Sequence, residues 1–325
     1  MHASDPAAVG AAFHRLPSTG REANDALGAL GIGETALLPL LSVVRASGGD
    51  FELWGKAEFS NPTGSVKDRT ALAIVRAALS DGRLGNGRTL LDASSGNTAV
   101  AYARLGEELG FSVALLVPKN VNAERLARMR AFGATVVFTD PLEGTDGAQR
   151  SARQWVKSEP DRFFYADQYN NPANPFAHYS GTGPEIWRQS SGRLTHFVAG
   201  VGTGGTLSGA ARFLREQRPN IGVIGVQPDA PLHGIGGLKH IATAIRPGTY
   251  DDSLIDRTIE VSTEDAQKTA ARLSQQEGLR VGVSSGAAVF ASLQVGRSTP
   301  GAVIVTILPD GGETTLADPP QERRA

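Results

Sequence analysis

The sequence predicts an α/β protein with parallel sheets in two domains. Three observations carry this: strand-length apolar runs alternate with helix-length amphipathic runs, turn residues separate them, and a Pro- and Asn-rich stretch interrupts the alternation near the middle. The run Phe51–Phe59 alternates apolar and polar residues as a strand does. "ALAIVRAALSDGRLG" reads as a helix closed by glycine, "TLLDAS" as a strand, "TAVAYARLGEELG" as a helix and "SVALLVP" as a strand. "NAERLARMRAFG" is a helix whose apolar stripe packs inward, "TVVFTD" a strand and "GAQRSARQWVKSEP" a helix. Beyond residue 170 the order resumes with strand "THFVAG", helix "TLSGAARFLREQ" and strand "IGVIGVQP". A long loop follows from about Asp229 to Asp252, then strand "RTIEVS", helix "TEDAQKTAARLSQQEG", the segment "VGVSSGAAVFASLQV" and a last strand, "AVIVTILPD".

A chain of 325 residues can bury two ordinary cores. "YNNPANPFAHYSGTGPE" is the candidate crossover, which divides the chain into residues 25–168 and 169–316, with part of 25–70 free to pack on the second domain. Residues 1–24 and 317–325 read as tails. Lys plus Arg number 32 against 33 Asp plus Glu, so no global field attracts nucleic acid or an anionic membrane. The absence of cysteine removes disulfides, thiolate nucleophiles and zinc-thiolate sites. No segment has the composition of a leader or the apolar length of a membrane span, so a cytoplasmic protein acting on a small molecule is expected. His178, His233 and His240 lack metal-ligand spacing and read as polar loop residues, so no metal is expected.

Ligands of open α/β sheets gather at the carboxyl ends of strands, and four turns lie in such places. "GVGTGGT" precedes a helix, so its backbone N–H groups and the helix dipole suit an anion such as a phosphate. Gly200, Gly202 and Gly205 also satisfy G-x-G-x-x-G. The dinucleotide reading nevertheless fails at its most informative point, because the next strand ends in Gln227 rather than an acid. "SSGNT" offers hydroxyls, an amide and N–H groups to a carboxylate, with Ser94 as a simple N-cap the competing explanation. "VSSGAA" poses the same choice for Ser284 and Ser285. "NPTGSVKDR" places Lys67 as either a solvated charge or a nucleophilic amine, which a dry pocket or a nearby cation such as Arg69 would activate, unless Arg69 only pairs with Asp68.

Taken together and in order, N-P-T-G-S-x-K-D-R, S-G-N-T, G-T-G-G-T and S-S-G resemble the fold type II pyridoxal-phosphate enzymes, in particular the cysteine synthase and cystathionine β-synthase branch. The resemblance runs from "GIGETALLPL" to "ILPDGGE" and includes "DQYNNPANPFAHYSGTGPEIW"; "GLKHI" and "RPGTYDDSLID" are similar to the cysteine synthase B-like subgroup. It implies two three-layer αβα domains, the first carrying the lysine and the carboxylate loop, the second the phosphate cradle, with pyridoxal 5'-phosphate between them. It further implies that Lys67 links to the cofactor aldehyde and returns as the proton-transfer base. Asn97 would bond the ring hydroxyl, and Gly202, Thr203, Gly204, Gly205 and Thr206 would hold the phosphate. Ser284 would meet the pyridine nitrogen, while Ser94, Ser95, Asn97, Thr98 and Gln168 would take the substrate carboxylate. The implied reaction is β-replacement through an aminoacrylate: O-acetylserine or O-phosphoserine plus sulfide or another sulfur donor gives L-cysteine. A serine at the ring nitrogen makes the ring a weaker electron sink than an aspartate would, which favours loss of a β-leaving group over a long-lived carbanion. A homodimer is implied, and a serine acetyltransferase tail is a partner the family allows.

Several positions depart from the family pattern. Ser94 stands for the usual threonine, Ala99 for a glycine in the loop that closes on substrate, and Glu34 and Ala36 replace Asn and Pro. Gly311 lacks a serine hydroxyl expected near the ring nitrogen. Arg212 is a candidate for recognising a phosphorylated substrate, because a guanidinium can bind a phosphate in bidentate fashion; an exposed helix arginine is the equal alternative. The alternative functions are cystathionine β-synthase or diaminopropionate-type β-replacement, and a cofactor-binding regulatory relative with reduced turnover.

Overall fold

The computed structural model describes residues 30–312, which form two sheets with helices on their faces. The tails, and the outermost residues of both expected domains, lie outside the described residues.

The smaller sheet is wholly parallel, in the order β5 (Thr135–Thr139), β4 (Val113–Pro118), β3 (Thr89–Ala93), β6 (Phe163–Tyr165). Its strands bury both faces, as parallel strands must. Leu90, Val113 and Leu115 face one way, onto Ile74, Val75 and Tyr102 of the helices Lys67–Ser80 and Asn97–Leu109. Leu91, Ala114 and Leu116 face the other way, onto Ala148 and Ala152 of the helix Gly144–Ser158. Met129 of the helix Ala123–Ala131 is fully buried, as the "LARMRAFG" stripe requires.

The larger sheet runs β1 (Leu37–Pro39), β2 (Glu52–Ala57), β10 (Val303–Leu308), β7 (His196–Gly200), β8 (Gly222–Pro228), β9 (Arg257–Val261), parallel except for the β1–β2 pair. β2 therefore pairs along its whole length with the last strand, from Glu52 opposite Val303 to Ala57 opposite Leu308. The chain then leaves this sheet, turns through Asn61–Val66 and enters the helix Lys67–Ser80, which packs on the smaller sheet. Lys67 stands where the two sheets meet.

Two expectations about segments change. The candidate crossover is not irregular: it forms a short helix Ala173–Ala177, a π-turn His178–Thr182 and a helix Gly183–Gln189. Pro172 and Pro184 sit at helix starts, where a missing N–H costs nothing, so proline density marked helix beginnings rather than a linker. "VGVSSGAAVFASLQV" contributes only an isolated bridge at Val281 before becoming the helix Val283–Ser298.

A buried ionic cluster anchors the lysine helix. Arg69 pairs with Glu58 and Glu185 at 2.7 Å each, and the fully buried Lys56 reaches Glu185 at 2.6 Å. Arg69 thus pairs with neither alternative weighed from sequence. Asp68 instead accepts the Thr63 N–H at 2.7 Å and the Thr63 hydroxyl, folding the Pro-Thr-Gly-Ser turn back onto the helix start.

Candidate active site

A cavity of about 340 Å³ opens at the carboxyl ends of both sheets. Its wall contains Lys67, Ser94, Ser95, Asn97, Thr98, Gln168, Gly202, Thr203, Gly204, Thr206 and Ser284, so the four glycine or serine turns of the sequence converge on one space. Gly205 lies just behind the wall.

Lys67 is the first residue of its helix. Burial pushes its amine below the ordinary lysine value, and the charges of Asp310 and Glu58 only partly oppose that. A desolvated amine of this kind spends more time unprotonated, as a nucleophile or base requires.

Ser94 does not cap the helix Asn97–Leu109: its Oγ accepts the N–H of Gly96 at 3.3 Å, and Gly96, with no side-chain cap, occupies the N-cap. The helix amides and the hydroxyls of this loop are left for a ligand. Thr98 Oγ1 donates to Gln168 Oε1 at 2.7 Å, which directs the Gln168 amide nitrogen away from it. That nitrogen is buried with no hydrogen-bond partner, in a residue only 2 % exposed on the cavity wall. A buried donor without a partner is costly, and a substrate carboxylate would satisfy it.

At the opposite wall Asp310 gathers two of the expected cofactor contacts. Asn97 Nδ2 donates to its Oδ2 at 2.9 Å, and Ser284 Oγ donates to its Oδ1 at 3.0 Å. Burial raises the Asp310 carboxyl above its ordinary value, with the bonds from Ser284 and Asn97 and the Lys67 charge pulling against it. The segment after β10 is also tied to the lysine turn, through Val66 N–H to Pro309 O at 2.8 Å, and to the start of the helix Val283–Ser298, through Gly282 N–H to Asp310 O at 3.0 Å. Ser284, like Ser94, caps nothing.

The glycines of the cradle are required by close approach. A Cβ on Gly202 would lie 2.2 Å from the Gly237 carbonyl, and one on Gly205 would lie 2.0 Å from Asn174 Oδ1. Gly204 has φ +85°, and a Cβ there would meet Tyr250 at 2.5 Å. The helix Gly205–Gln217 starts here, with Thr203 and Thr206 presenting hydroxyls to the cavity.

Four sequence expectations change. Arg212 does not line the cavity: it is 59 % exposed and pairs with Asp251 at 3.1 Å, the exposed-helix alternative. His178 is fully buried in the π-turn rather than on a loop. Ala99 is packed in the core within the first turn of its helix, not in a mobile loop. Gly311 is absent from this wall and lines a neighbouring cavity with Pro62, Thr63 and Arg128. Three wall residues went unforeseen: Asp310, Arg125 and Lys239. Asp310 had a signal, its place at the carboxyl end of the last strand. Lys239 lies in the long loop, its ammonium 3.4 Å from Asp146 and 5.0 Å from the centre of the Tyr169 ring, and no sequence pattern marked it. Among the described residues no group of His, Cys, Asp and Glu could hold a metal.

A phosphate site at one end, a poised amine between the sheets and an unpartnered amide for a carboxylate are what a phosphorylated pyridoxal aldehyde and an amino acid would need. The model of the family described as "Pyridoxal-phosphate dependent enzyme" matches residues 29–310. The chain belongs to that family. Its fold is the type II pyridoxal-phosphate fold, and its cofactor is pyridoxal 5'-phosphate. Among relatives of this pyridoxal-phosphate enzyme, cysteine synthase from Aquifex aeolicus is 52 % identical over 82 % of this chain and 83 % of its own length. Cysteine synthase B from Salmonella typhimurium is 42 % identical over 88 % and 93 %. The crystal structure of cysteine synthase from Entamoeba histolytica superposes with a TM-score of 0.83 at 32 % identity, covering 93 % of this chain and 90 % of that one.

Proposed function

We propose that this enzyme is a cysteine synthase, converting an O-activated L-serine and a sulfur donor to L-cysteine, with the residues of the cavity in the following roles. The observation that carries the reading is the meeting in one cavity of the desolvated Lys67 amine, the hydroxyl-lined cradle and the unpartnered Gln168 amide. It is supported by relatives with that activity at 40–52 % identity.

Bound pyridoxal 5'-phosphate supplies an aldehyde for amines and an electron sink for the bond broken at the amino acid's α-carbon. Gly202–Thr206 hold its phosphate, Asn97 its ring hydroxyl and Ser284 its ring nitrogen. Ser94, Ser95, Asn97, Thr98 and Gln168 grip the substrate carboxylate, which fixes the α-hydrogen relative to Lys67. Lys67 Nζ takes that hydrogen as a proton, and returns a proton to the same carbon once the β-substituent has been exchanged. Asp310 holds Asn97 and Ser284 on one carboxylate, so that neither has to be ordered when the cofactor binds.

O-acetylserine and O-phosphoserine are both proposed donors, and Arg212 stands too far outside the cavity to choose between them. A homodimer, a cytoplasmic setting and a serine acetyltransferase tail as partner are also proposed, on the family resemblance. Among the described residues no helix is long and apolar enough to cross a membrane.

The test is to load the protein with pyridoxal phosphate and record its visible spectrum while adding O-acetylserine, O-phosphoserine or serine, then sulfide. A donor-specific spectral change reversed by sulfide, with L-cysteine as product, is expected. A spectrum indifferent to every donor, or one that sulfide does not reverse, would reject the reading. Lys67→Ala should remove the covalently held chromophore.

A further inference from the structure

Behind the cradle lies a buried layer of polar side chains that the proposed roles leave unused: Thr70, Asn174, His178 and Thr182. It joins the lysine helix, the π-turn segment and the start of the helix Gly205–Gln217, and its hydrogen-bond directions can be worked out from one fixed end.

That end is the backbone carbonyl of Gln168, which can only accept. Asn174 reaches it at 2.7 Å, so the atom there is the amide nitrogen Nδ2, and the same nitrogen donates to Thr203 Oγ1 at 3.0 Å. Thr203 Oγ1 also accepts the Gly205 N–H at 3.3 Å. With two donors pointed at its oxygen, the Thr203 hydroxyl hydrogen is left to point elsewhere. Asn174 Oδ1 accepts from Thr70 Oγ1 at 3.1 Å, which commits the Thr70 hydrogen. His178 Nε2, 3.3 Å from Thr70 Oγ1, must therefore be the donor in that contact. Its second neighbour at 3.2 Å is Thr206 Oγ1, which receives the same N–H. Nδ1 is then the bare nitrogen, accepting from Thr182 Oγ1 at 2.9 Å. Burial, with Arg69 and Lys67 nearby, keeps the ring neutral, as this assignment needs.

We propose that Asn174 and His178 are positioning residues that act through Thr203 and Thr206: by donating to both hydroxyls from behind, they turn both hydroxyl hydrogens into the cavity and make the cradle a site of pure donors for a phosphate dianion. The consequence is selectivity without a cation. A group with no proton to donate finds two preset O–H donors beside the helix amides, while a neutral or protonated ligand meets donors it cannot match. The proposal rests on the reading that the cofactor phosphate occupies this cradle.

Two measurements on the pyridoxal-phosphate-loaded protein test it, neither of them a rate of turnover. The first is NMR of protein labelled with ¹⁵N in histidine rings, with His178 assigned from its loss in His178→Gln. A neutral ring protonated on Nε2, unchanged from pH 6 to pH 9, is expected. A proton on Nδ1, or an imidazolium in that range, overturns the proposal, and this experiment needs no variant to fold. The second is the dissociation constant of pyridoxal phosphate. Thr206→Val, which removes one charge-assisted bond, should weaken binding by about ten-fold or more. His178→Phe should do nearly the same, while His178→Gln, whose amide can still donate toward Thr206, should stay within about three-fold of the parent. If Thr206→Val binds as the parent does, the phosphate is not at this cradle and the underlying assignment fails. If Thr206→Val weakens binding while His178→Phe does not, only the positioning role falls.

Discussion

The change Glu185→Gln probes the ionic cluster that anchors the lysine helix. Burial pushes the Glu185 carboxyl upward, but the bonds and charges of Arg69 and Lys56 outweigh it and hold the group at about 2, against an ordinary value of 4.5. That gap of about 2.5 pH units is worth about 3 kcal/mol at about 1.4 kcal/mol per unit, and little of it is lost to screening because the side chain is only 6 % exposed. Glutamine keeps the shape and removes the charge, leaving two buried cations for the single carboxylate of Glu58, a situation that costs about 3–5 kcal/mol. At about 2–4 °C per kcal/mol the melting temperature should fall by roughly 6–20 °C at pH 7. Lys56, already pushed down by burial, can shed its proton and limit the loss. The companion double variant Glu185→Gln, Lys56→Met should therefore recover part of it. Because the folded-state value is depressed, the stabilisation is complete above about pH 4.5 and fades as the pH falls toward about 2. Differential scanning calorimetry of parent and variant should show the gap narrowing to about half by pH 3. A gap below about 2 °C at pH 7, or one that persists undiminished at pH 3, would show that the cluster does not carry this energy.

Three further outcomes are expected. Gly205→Ala forces a Cβ to within 2.0 Å of Asn174 Oδ1, so equilibrium dialysis should find pyridoxal phosphate binding reduced by more than ten-fold; retention of normal affinity would mean that the cradle can shift at little cost. Gln168→Leu removes the unpartnered donor and should raise the KM for the amino-acid donor by about ten-fold or more while leaving cofactor affinity unchanged, so an unaltered KM would exclude contact with the carboxylate. Arg212→Ala breaks only a surface pair and should change kcat/KM by less than two-fold with O-acetylserine and O-phosphoserine alike; a loss confined to the phosphorylated donor would restore the rejected role.

Periodicity and turn chemistry made the strands and long helices of the described residues legible, because each is a local pattern of apolar spacing. The site was legible where glycine and hydroxyl residues cluster after a strand, as at Gly202–Thr206 and Ser94–Thr98. Arg69 was misjudged because its partners, Glu58 and Glu185, are 11 and 116 residues away in sequence. Asp310 was missed for a related reason: its meaning lies in Asn97 and Ser284, which only the fold brings to it. His178 looked like a loop polar residue because nothing in "NPFAHYSGT" reports that Thr70 and Thr206 will enclose its ring. Proline density misled at 172 and 184, since helix starts and linkers draw on the same residue.

The position of β10 bears on the order in which the molecule can be assembled. The last strand made lies between β2 and β7, so during synthesis the β1–β2 ribbon has no partner in its own sheet until residue 308 has emerged. The join spans some 250 residues of chain and closes late, the kind of distant pairing that slows folding. Until then Lys67 has no Asp310 opposite it, and the cradle has no fixed relation to the amine. A nascent or C-terminally clipped chain is therefore not a weaker enzyme but two unconnected halves of one, and competence arrives in a single step with the final strand.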